Sequence, residues 1–308
     1  ISESFTFIIS ILVLSSKFSV KFESKIVRVS VKFGLPLIFG SLAMMLLNLS
    51  DRFLIKIFLN DEMVGLYDLG YRFAGILNMF IIMPISLTLL PYAYKIFSKK
   101  GDKEFFSKLL LYMTILLVFT GLGLSIFSKE IIKIFALNAS YWPAYQITPI
   151  ITFAYVLFGM RLVTSLGLYL TRQTKYVAIT TVFVAILNIA LNIIFIPKYG
   201  MLAAAYSTLI SFAVLYLLSE YYSNRFYQIS YDHKRILIVI SLGIVFYFVS
   251  IAFNEFNLYI RIITKSLSIL LFILALFLTN CINNNEIVKA KNILINLKSF
   301  VTKPNQGS

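Results

Sequence analysis

The residues best suited to chemistry in this sequence are ionisable side chains inside long apolar segments. They are Asp51, Arg52 and Lys56 in one segment, Asp68 and Arg72 in the next, and Arg161 in a later one. An ionisable side chain within a membrane costs at least ~2.5 to 3.5 kcal/mol on insertion scales, so it usually faces a protein interior or a water-filled cavity. The bases outnumber the acids in this set, and such a surplus of positive charge favours an anionic ligand.

The spacing of these charges indicates that two neighbouring helices carry them to the same depth. Asp51 and Arg52 lie roughly 12 Å inside the outer end of their helix, and Arg72 enters from the same side to a similar depth. Asp68 and Arg72 stand four residues apart, which places both on one helix face. A charge removed from water needs a partner. We therefore expect cross-helix pairing, either of Asp51 with Arg72 or of Arg52 with Asp68.

The sequence leaves two roles open for these charges, a structural clamp between helices or the lining of a transport cavity. Lys56 could extend to the outer interface or line the same cavity. Arg161 lies about 20 Å from the outer end, with no acid placed to neutralise it, and at that depth snorkelling is hard, so a functional role is favoured. The predicted substrate-binding residues of a cationic cavity are Arg52, Lys56, Arg72 and Arg161, with Asp51 and Asp68 as charge-pairing partners.

The composition is that of a membrane protein. Of the 308 residues, 59% are hydrophobic and 13% are charged, and the mean hydropathy is +0.88, whereas a soluble domain carries about 25% charged residues. The net charge of +15 comes from short lysine and arginine clusters between apolar runs, which indicates membrane topology rather than nucleic-acid binding.

Several kinds of chemistry find no support in the sequence. It has one cysteine, Cys281, and one histidine, His233, so neither an intrachain disulfide nor a cluster of His and Cys metal ligands is expected. It also lacks a Walker-type glycine loop and paired catalytic carboxylates. We expect no cofactor, no bound metal and no enzymatic activity. Asn188 and Asn192, one helical turn apart, are interpreted as hydrogen-bonding groups between helices.

Eight complete membrane crossings are predicted, so the fold class is an all-α polytopic membrane protein. The crossings are 34–58, 66–94, 106–127, 144–170, 176–196, 200–219, 235–253 and 258–280. Lysine and arginine number nineteen in the connections on one side (17–32, 95–108, 172–175, 225–235 and 289–303) and four on the other (129–133, 198 and 261). By the positive-inside rule the first side is cytoplasmic, and the C-terminus lies there.

Three segments are not predicted to cross. Residues 128–137 form a helix expected at the outer interface, and 286–301 form either a cytoplasmic interfacial helix or a frayed polar end. The apolar run before Lys17 is too short to span a membrane, which needs about 20 residues. The simplest interpretation is that the chain begins inside a helix and that its N-terminal part is missing.

Two stretches carry a resemblance to a known family. The first, KFGLPLIFGSLAMMLLNLSDRFLIKIFLNDEMVGLYDLGYRFAGIL at 32–77, resembles the middle of bacterial polysaccharide biosynthesis proteins of the O-antigen and capsule flippase (Wzx-like) type. These belong to the multidrug/oligosaccharidyl-lipid/polysaccharide flippase superfamily. The matching residues are Pro36, Asp51, Arg52, Val64, Gly65, Leu66, Tyr67 and Tyr71. The second stretch, 170–211, is similar to the family's paired helices around an Ile-Pro-Lys-Tyr-Gly turn, with three alanines at 203–205 in place of Gly-Ala-Ala.

The resemblance implies the second six-helix lobe of a MATE-like flippase fold, with the first lobe missing and two extra C-terminal helices. It divides the chain into 1–22, the remnant of a truncated transmembrane helix and a cytoplasmic loop; 23–222, the six-helix lobe; and 223–308, two additional transmembrane helices with an amphipathic cytoplasmic tail. Only Asp51 and Arg52 match a family motif directly. The roles of Arg72 and Arg161 depend on the charge argument.

The function that the resemblance implies is flipping of undecaprenyl-pyrophosphate-linked oligosaccharide across the bacterial cytoplasmic (inner) membrane by alternating access. The expected partners are the lipid-linked oligosaccharide, membrane lipids, the missing N-terminal lobe and other polysaccharide assembly proteins, but not nucleic acid. One alternative is a cation-coupled multidrug exporter of the same superfamily, which would need an acid-lined cavity. Another is a membrane polysaccharide polymerase or glycosyltransferase, which would need reaction residues in extended loops.

Overall fold

The computed structural model describes residues 23–282 together with Ile9. The helices within this part are α1 (Ser24–Phe58), α2 (Asp61–Leu77), α3 (Met83–Ile96), α4 (Asp102–Ile126), α5 (Ser128–Phe135), α6 (Ile147–Thr164), α7 (Leu166–Leu170), α8 (Thr174–Tyr199), α9 (Met201–Phe226), α10 (His233–Ile251) and α11 (Leu258–Leu278). A π-helical turn, Asn78–Ile82, joins α2 to α3, and a 3₁₀ helix, Ala139–Gln146, precedes α6. The predicted stub at 1–22 and the predicted tail helix at 286–301 lie outside the described residues.

Eight helical stretches in the described part of the chain are long and apolar enough to cross a membrane. They coincide with the eight predicted crossings, so the prediction of a multi-pass membrane protein is confirmed. The helix predicted at 128–137 is also present, as the non-spanning α5. Its place at an outer interface stays a prediction.

The connection between the first two crossings is shorter than the predicted bounds 34–58 and 66–94 imply, because helix α2 begins at Asp61. Asn60 caps it: its side-chain oxygen accepts a hydrogen bond from the backbone N–H of Met63 at 2.9 Å. Asp61 and Glu62 lie in the first turn, where negative charge favours a helix N-terminus. The local sequence Asn-Asp-Glu thus starts the helix and leaves only a sharp corner after α1.

Consecutive crossings alternate in direction, so the connections lie at two ends of the bundle. At one end Thr174 Oγ1 donates to Phe33 O at 2.8 Å, and Ser107 Oγ donates to Ser230 O at 2.7 Å. We name this the basic end, because it receives the connections rich in lysine and arginine. That the basic end is cytoplasmic stays a prediction of the positive-inside rule.

Helix α6 lies at the centre of the bundle and packs against α2, α4 and α9, while α8 packs between α1 and α9. Close approach is required where α6 meets α4: a Cβ atom on Gly159 would lie 2.5 Å from Leu117 Cδ1. Glycine therefore lets the two backbones pack closely, which is how membrane helices gain van der Waals contact. This core holds the elements that carry the charged residues of α1 and α2.

The hairpin of α10 and α11 is attached to the bundle by an ion-pair cluster centred on Glu130 of α5. Lys265 Nζ lies 2.9 and 2.8 Å from the two carboxylate oxygens of Glu130, and Arg261 Nε lies 2.5 Å from one of them. The Lys265 side chain is completely buried. Burial raises the pKa of the Glu130 carboxyl, but hydrogen bonds from Lys265 and the charges of Lys265 and Arg261 outweigh it, so the pKa lies below its ordinary value.

We predict that Glu130→Gln lowers the thermal stability of the protein in detergent. The change leaves the Lys265 ammonium buried without its counter-charge, and breaking a buried pair costs about 3–5 kcal/mol. Because folding lowers the pKa of Glu130, its contribution is complete above the ordinary carboxyl pKa and is lost as the pH falls through the lowered value. The difference from wild type should therefore shrink in strong acid.

The matched control is Asp61→Asn, which removes one partner of the exposed ion pair between Lys56 Nζ and Asp61 at 2.9 Å. Exposed pairs contribute about 0–1 kcal/mol, so this variant should denature near the wild-type temperature. Equal effects of the two substitutions on the denaturation temperature would contradict the structural role of Glu130.

Candidate functional site

Asp51 and Arg52 are neighbours on α1, yet they belong to two different networks. Successive residues of an α-helix point about 100° apart, at 3.6 residues per turn. Asp51 is fully buried towards α8 and α9, whereas Arg52 points to α2 and keeps 23% of its side chain exposed. The Asp-Arg dipeptide therefore places one charge in a sealed contact and the other beside a cavity.

The Asp51 carboxylate is satisfied by three neutral donors from three helices. Tyr67 Oη donates to it at 2.6 Å, Asn192 Nδ2 at 2.6 Å and Thr208 Oγ1 at 2.7 Å. The predicted pairing of Asp51 with Arg72 is wrong, because Asp51 faces α8 and α9 while Arg72 lies on the exposed side of α2. Asp51 is therefore not a charge-pairing partner in this structure. The predicted interhelical role of Asn192 agrees with its bond to Asp51.

The Asp51 network offers oxygen atoms of the kind that hard cations bind. Besides the carboxylate, Asn192 Oδ1 is buried with no hydrogen-bond partner in the described residues, and Asn188 Oδ1 accepts from Ser50 Oγ at 3.2 Å. Carboxylate, amide and hydroxyl oxygens are ligands for small hard cations. A carboxylate buried in a membrane without a basic partner requires charge compensation, which either a proton or a small cation can supply.

Arg52 forms the cross-helix ion pair that was predicted with Asp68. Its Nε lies 2.7 Å from Asp68 Oδ1, and Arg72 Nε lies 2.5 Å from Asp68 Oδ2. Arg52 Nη1 donates to Asn48 O at 2.8 Å, and the guanidinium carbon lies 4.5 Å from the centre of the Tyr71 ring. Two guanidinium groups share one carboxylate, so this triad keeps a net positive charge.

A cavity of ≈ 380 Å³ opens beside Arg52. It is lined by Asn48, Leu49, Arg52, Tyr71, Asn78, Tyr155, Phe158 and Phe212. No hydrogen bond to Arg52 Nη2 is formed by any residue that the structure describes, so part of the guanidinium is available to a ligand. The prediction that Arg52 faces a cavity is therefore supported by the geometry.

The other predicted site residues do not line this cavity. Lys56 pairs with Asp61 at the corner between α1 and α2, where its side chain is exposed. Arg72 is 78% exposed on the surface of α2. Within the described residues, Lys56 and Arg72 therefore do not share a cavity with Arg52, contrary to the prediction. Lys56 lies one helical turn beyond the cavity, and Arg72 is connected to it only through Asp68.

Arg161 is buried between α6, α8 and α9. Its Nε donates to Ser219 Oγ at 3.2 Å and its Nη2 to Thr181 Oγ1 at 3.5 Å. No carboxylate of the described residues forms an ion pair with it. The absence of a partnering acid agrees with the sequence analysis, but the structure does not place Arg161 in the cavity with Arg52, because its guanidinium is buried and bonded to two neutral hydroxyl groups.

Several residues of the site were not predicted from the sequence. Asn78 is a polar residue within an apolar segment, and this signal could have identified it. Tyr155, Phe158 and Phe212 gave no signal, because aromatic residues are abundant throughout the chain. Lys265 was also missed, although it is a charge within a predicted crossing.

A second cavity, of ≈ 560 Å³, lies between α9 and α10 near the basic end. Glu220 and His233 are among its lining residues, and their atoms Oε1 and Nε2 are 3.1 Å apart. The sequence placed His233 in a basic connection, whereas the structure places it in the first turn of α10. Glu220 makes this cavity unsuitable for an anion.

Comparisons with known proteins agree with the resemblance seen in the sequence. Residues 1–97 match the family model for polysaccharide biosynthesis proteins. Agl15 of Haloferax volcanii, described as a probable low-salt glycan biosynthesis flippase, is 27% identical over 189 residues, which are 60% of this chain and 40% of Agl15.

The solved structure of the lipid II flippase MurJ, in an inward closed conformation, shares the fold. The two structures superpose with a TM-score of 0.65 at 19% identity, over 89% of this chain and 60% of the MurJ chain. This chain thus spans less than two thirds of the length of either relative. The resemblance to polysaccharide biosynthesis flippases and the predicted all-α flippase fold are confirmed.

We predict that Asp51 is the group through which a proton or a small cation affects this protein. The denaturation temperature of the wild-type protein should change when Na⁺ replaces choline, or when the pH is varied, because a ligand at 100 times its Kd stabilises the folded state by about 2.7 kcal/mol. Asp51→Asn should remove the Na⁺ response and alter the pH response, since it removes the carboxylate charge, while the part of the pH response that belongs to Glu130 should remain. The matched control is Asp68→Asn, which removes an acid that already has basic partners and should keep the response. A wild-type protein insensitive to both Na⁺ and pH would contradict this prediction.

Proposed function

We propose that this chain forms part of a flippase that carries undecaprenyl-pyrophosphate-linked oligosaccharide across the bacterial inner membrane for surface polysaccharide biosynthesis. The observation that carries the proposal is the cavity beside Arg52, a cationic and aromatic space inside a bundle of membrane helices. A passenger with a phosphorylated headgroup matches the sign of its charge.

Arg52 is proposed to bind the pyrophosphate. A guanidinium group presents planar N–H donors that fit phosphate oxygens, and such charge-assisted hydrogen bonds are about twice as strong as neutral ones. Asp68 and Asn48 hold Arg52 through Nε and Nη1. These contacts fix the side chain while leaving Nη2 directed to a ligand. Arg72 contributes to phosphate binding indirectly, because it pairs with the same Asp68 carboxylate. This second pairing weakens the attraction between Asp68 and Arg52.

The Asp51 network is proposed to couple transport to a cation or proton gradient. Asp51 joins α1 to α2, α8 and α9 through single hydrogen bonds. Binding of a cation or proton there would change the hydrogen bonds between these helices. Since Arg52 is the next residue on α1, a shift of this helix would also move the cavity wall.

The remaining parts of the proposal concern assembly and orientation. We propose that residues 23–222 are one lobe, that 223–308 add two transmembrane helices and a tail, and that an N-terminal lobe completes the cavity. The basic end and the C-terminus are proposed to be cytoplasmic, by the positive-inside rule. We propose a transporter rather than an enzyme, with lipid-linked oligosaccharide and membrane lipids as partners and other polysaccharide assembly proteins as further ones.

A multidrug exporter is disfavoured by the positive charge of the Arg52 triad, because cationic drugs would require an acidic cavity. A polymerase or glycosyltransferase is disfavoured by the short connections between the described helices. The drug susceptibility of a deletion strain distinguishes a multidrug exporter from the proposed flippase. The leaflet in which lipid-linked units accumulate distinguishes a polymerase or glycosyltransferase from it.

We predict that Arg52→Ala reduces export of surface polysaccharide by about 10- to 100-fold, because hydrogen bonds to charged groups contribute ~1.5–3 kcal/mol. The measurement is surface polysaccharide in a deletion strain that expresses the full-length variant, normalised to its amount in the membrane. Arg52→Lys should recover only part of the export, since an ammonium group lacks the bidentate fork.

The matched control for Arg52→Ala is Lys56→Ala, one helical turn away on α1, which should export normally because Lys56 is exposed and paired with Asp61. Arg161→Ala should lower the amount of protein rather than its activity per molecule, because Arg161 lies in a closed contact. Normal export by Arg52→Ala would reject the proposed role of Arg52.

A further inference from the structure

The cavity beside Arg52 has a wall that phosphate binding does not use. Four aromatic rings from α2, α6 and α9 form it in a continuous series. The Tyr71 and Tyr155 ring centres are 5.8 Å apart, edge to face. Tyr155 and Phe212 follow at 6.3 Å, and Phe158 stacks on Phe212 at 5.1 Å with 29° between the ring planes. Ring contacts between three helices therefore hold this wall together.

Two amide side chains complete this wall. Asn48 is already engaged: its Oδ1 accepts from Tyr71 Oη at 3.1 Å and its Nδ2 donates to Met44 O at 2.9 Å. The Asn78 side chain also lines the cavity, and it forms no hydrogen bond with any residue in the described part of the chain. The Asn78 side chain is partly exposed, so its amide is accessible to water or to a ligand in the cavity.

The backbone explains how Asn78 reaches the cavity. It is the first residue of the π-helical turn Asn78–Ile82, a rare widening of a helix that is frequently found at functional sites. Pro84, which lacks a backbone N–H, follows within the first turn of α3. The regular 3.6-residue repeat of α2 is therefore interrupted before α3 begins. The interruption starts at Asn78, whose amide lines the cavity.

We propose that this wall is the subsite for the sugar that is attached to the phosphate of the lipid-linked glycan. Aromatic faces pack against the C–H faces of a sugar ring, and an amide can both donate to and accept from its hydroxyl groups. The cavity volume lies within the range of small-molecule sites, about 300 to 1,000 Å³, and is therefore large enough for a single sugar unit. An acyl chain would offer no hydrogen bond to the Asn78 amide or to Arg52 Nη2.

This inference rests on the proposed function, since Arg52 at the same cavity is the proposed phosphate ligand. The two claims are separated by two probes, measured on the purified full-length protein in nanodiscs. One probe is sugar-free undecaprenyl pyrophosphate. The other is the lipid-linked glycan fraction extracted from membranes of the source organism. The ratio of their dissociation constants measures what the sugar adds to binding.

The wild-type protein is expected to bind the glycan-bearing lipid at least about fivefold more tightly than the sugar-free lipid, the effect of a single hydrogen bond of ~1 kcal/mol. Asn78→Leu and Phe158→Leu should each bring this ratio close to one and leave binding of the sugar-free lipid unchanged. Arg52→Ala should weaken both probes alike. The matched control is Phe80→Leu, on the same turn, because Phe80 is 68% exposed and does not line the cavity. Asn78→Ala replaces Asn78→Leu if the larger side chain prevents folding.

The sugar subsite is supported if Phe158→Leu and one Asn78 variant both bring the ratio of dissociation constants close to one while Phe80→Leu behaves like wild type. A wild-type ratio close to one, or variants that keep the wild-type ratio, overturns the subsite while leaving phosphate binding in place. If the wild-type protein binds neither probe, the proposed function and the subsite both fail.

Discussion

The constraint on which this structure depends is that a polar or charged side chain between membrane helices finds no bulk water. Its partner must come from the bundle itself or from a cavity. Asp51 meets this requirement with donors from Tyr67, Asn192 and Thr208, and Lys265 meets it with both carboxylate oxygens of Glu130. All of these contacts except that of Asp51 with Tyr67 join helices that are distant in the sequence. The costly polar residues are thus also the ones that fix which helices are neighbours.

The polar groups of the bundle differ in how far the bundle itself supplies their hydrogen-bond partners. The closed contacts of Asp51, Arg161 and Lys265 leave little of these side chains accessible. Beside Arg52, by contrast, a guanidinium N–H group and the Asn78 amide lack partners in the described residues, and aromatic rings hold the space open. This difference, rather than the number of charges, is the reason that we propose Arg52 as the residue that binds a headgroup. Because Arg52 follows Asp51 directly on α1, events in the closed network can reach the open one along a single helix.

The fold could be predicted from the sequence to a large extent, because membrane crossings depend on local hydropathy and on charge asymmetry. The Arg52–Asp68 pair could be predicted as well, since the two residues flank one short corner and lie at equal depth. The Lys265–Glu130 pair could not, because its members are 135 residues apart and no local pattern connects them. Arg161 shows the same limit. Depth along a helix follows from counting residues, but whether a buried side chain faces a cavity or the hydroxyl groups of Ser219 and Thr181 depends on the rotation of three helices.

The π-helical turn at Asn78–Ile82 has a consequence for how relatives of this chain should be aligned. In an α-helix each added residue rotates all that follows by about 100°, at 3.6 residues per turn. The face that α3 turns towards the bundle is therefore set by this one widened turn as well as by the sequence of α3. A one-residue gap at this point between two homologues would signify a rotation of an entire transmembrane helix about its axis, and not the trimming of a loop.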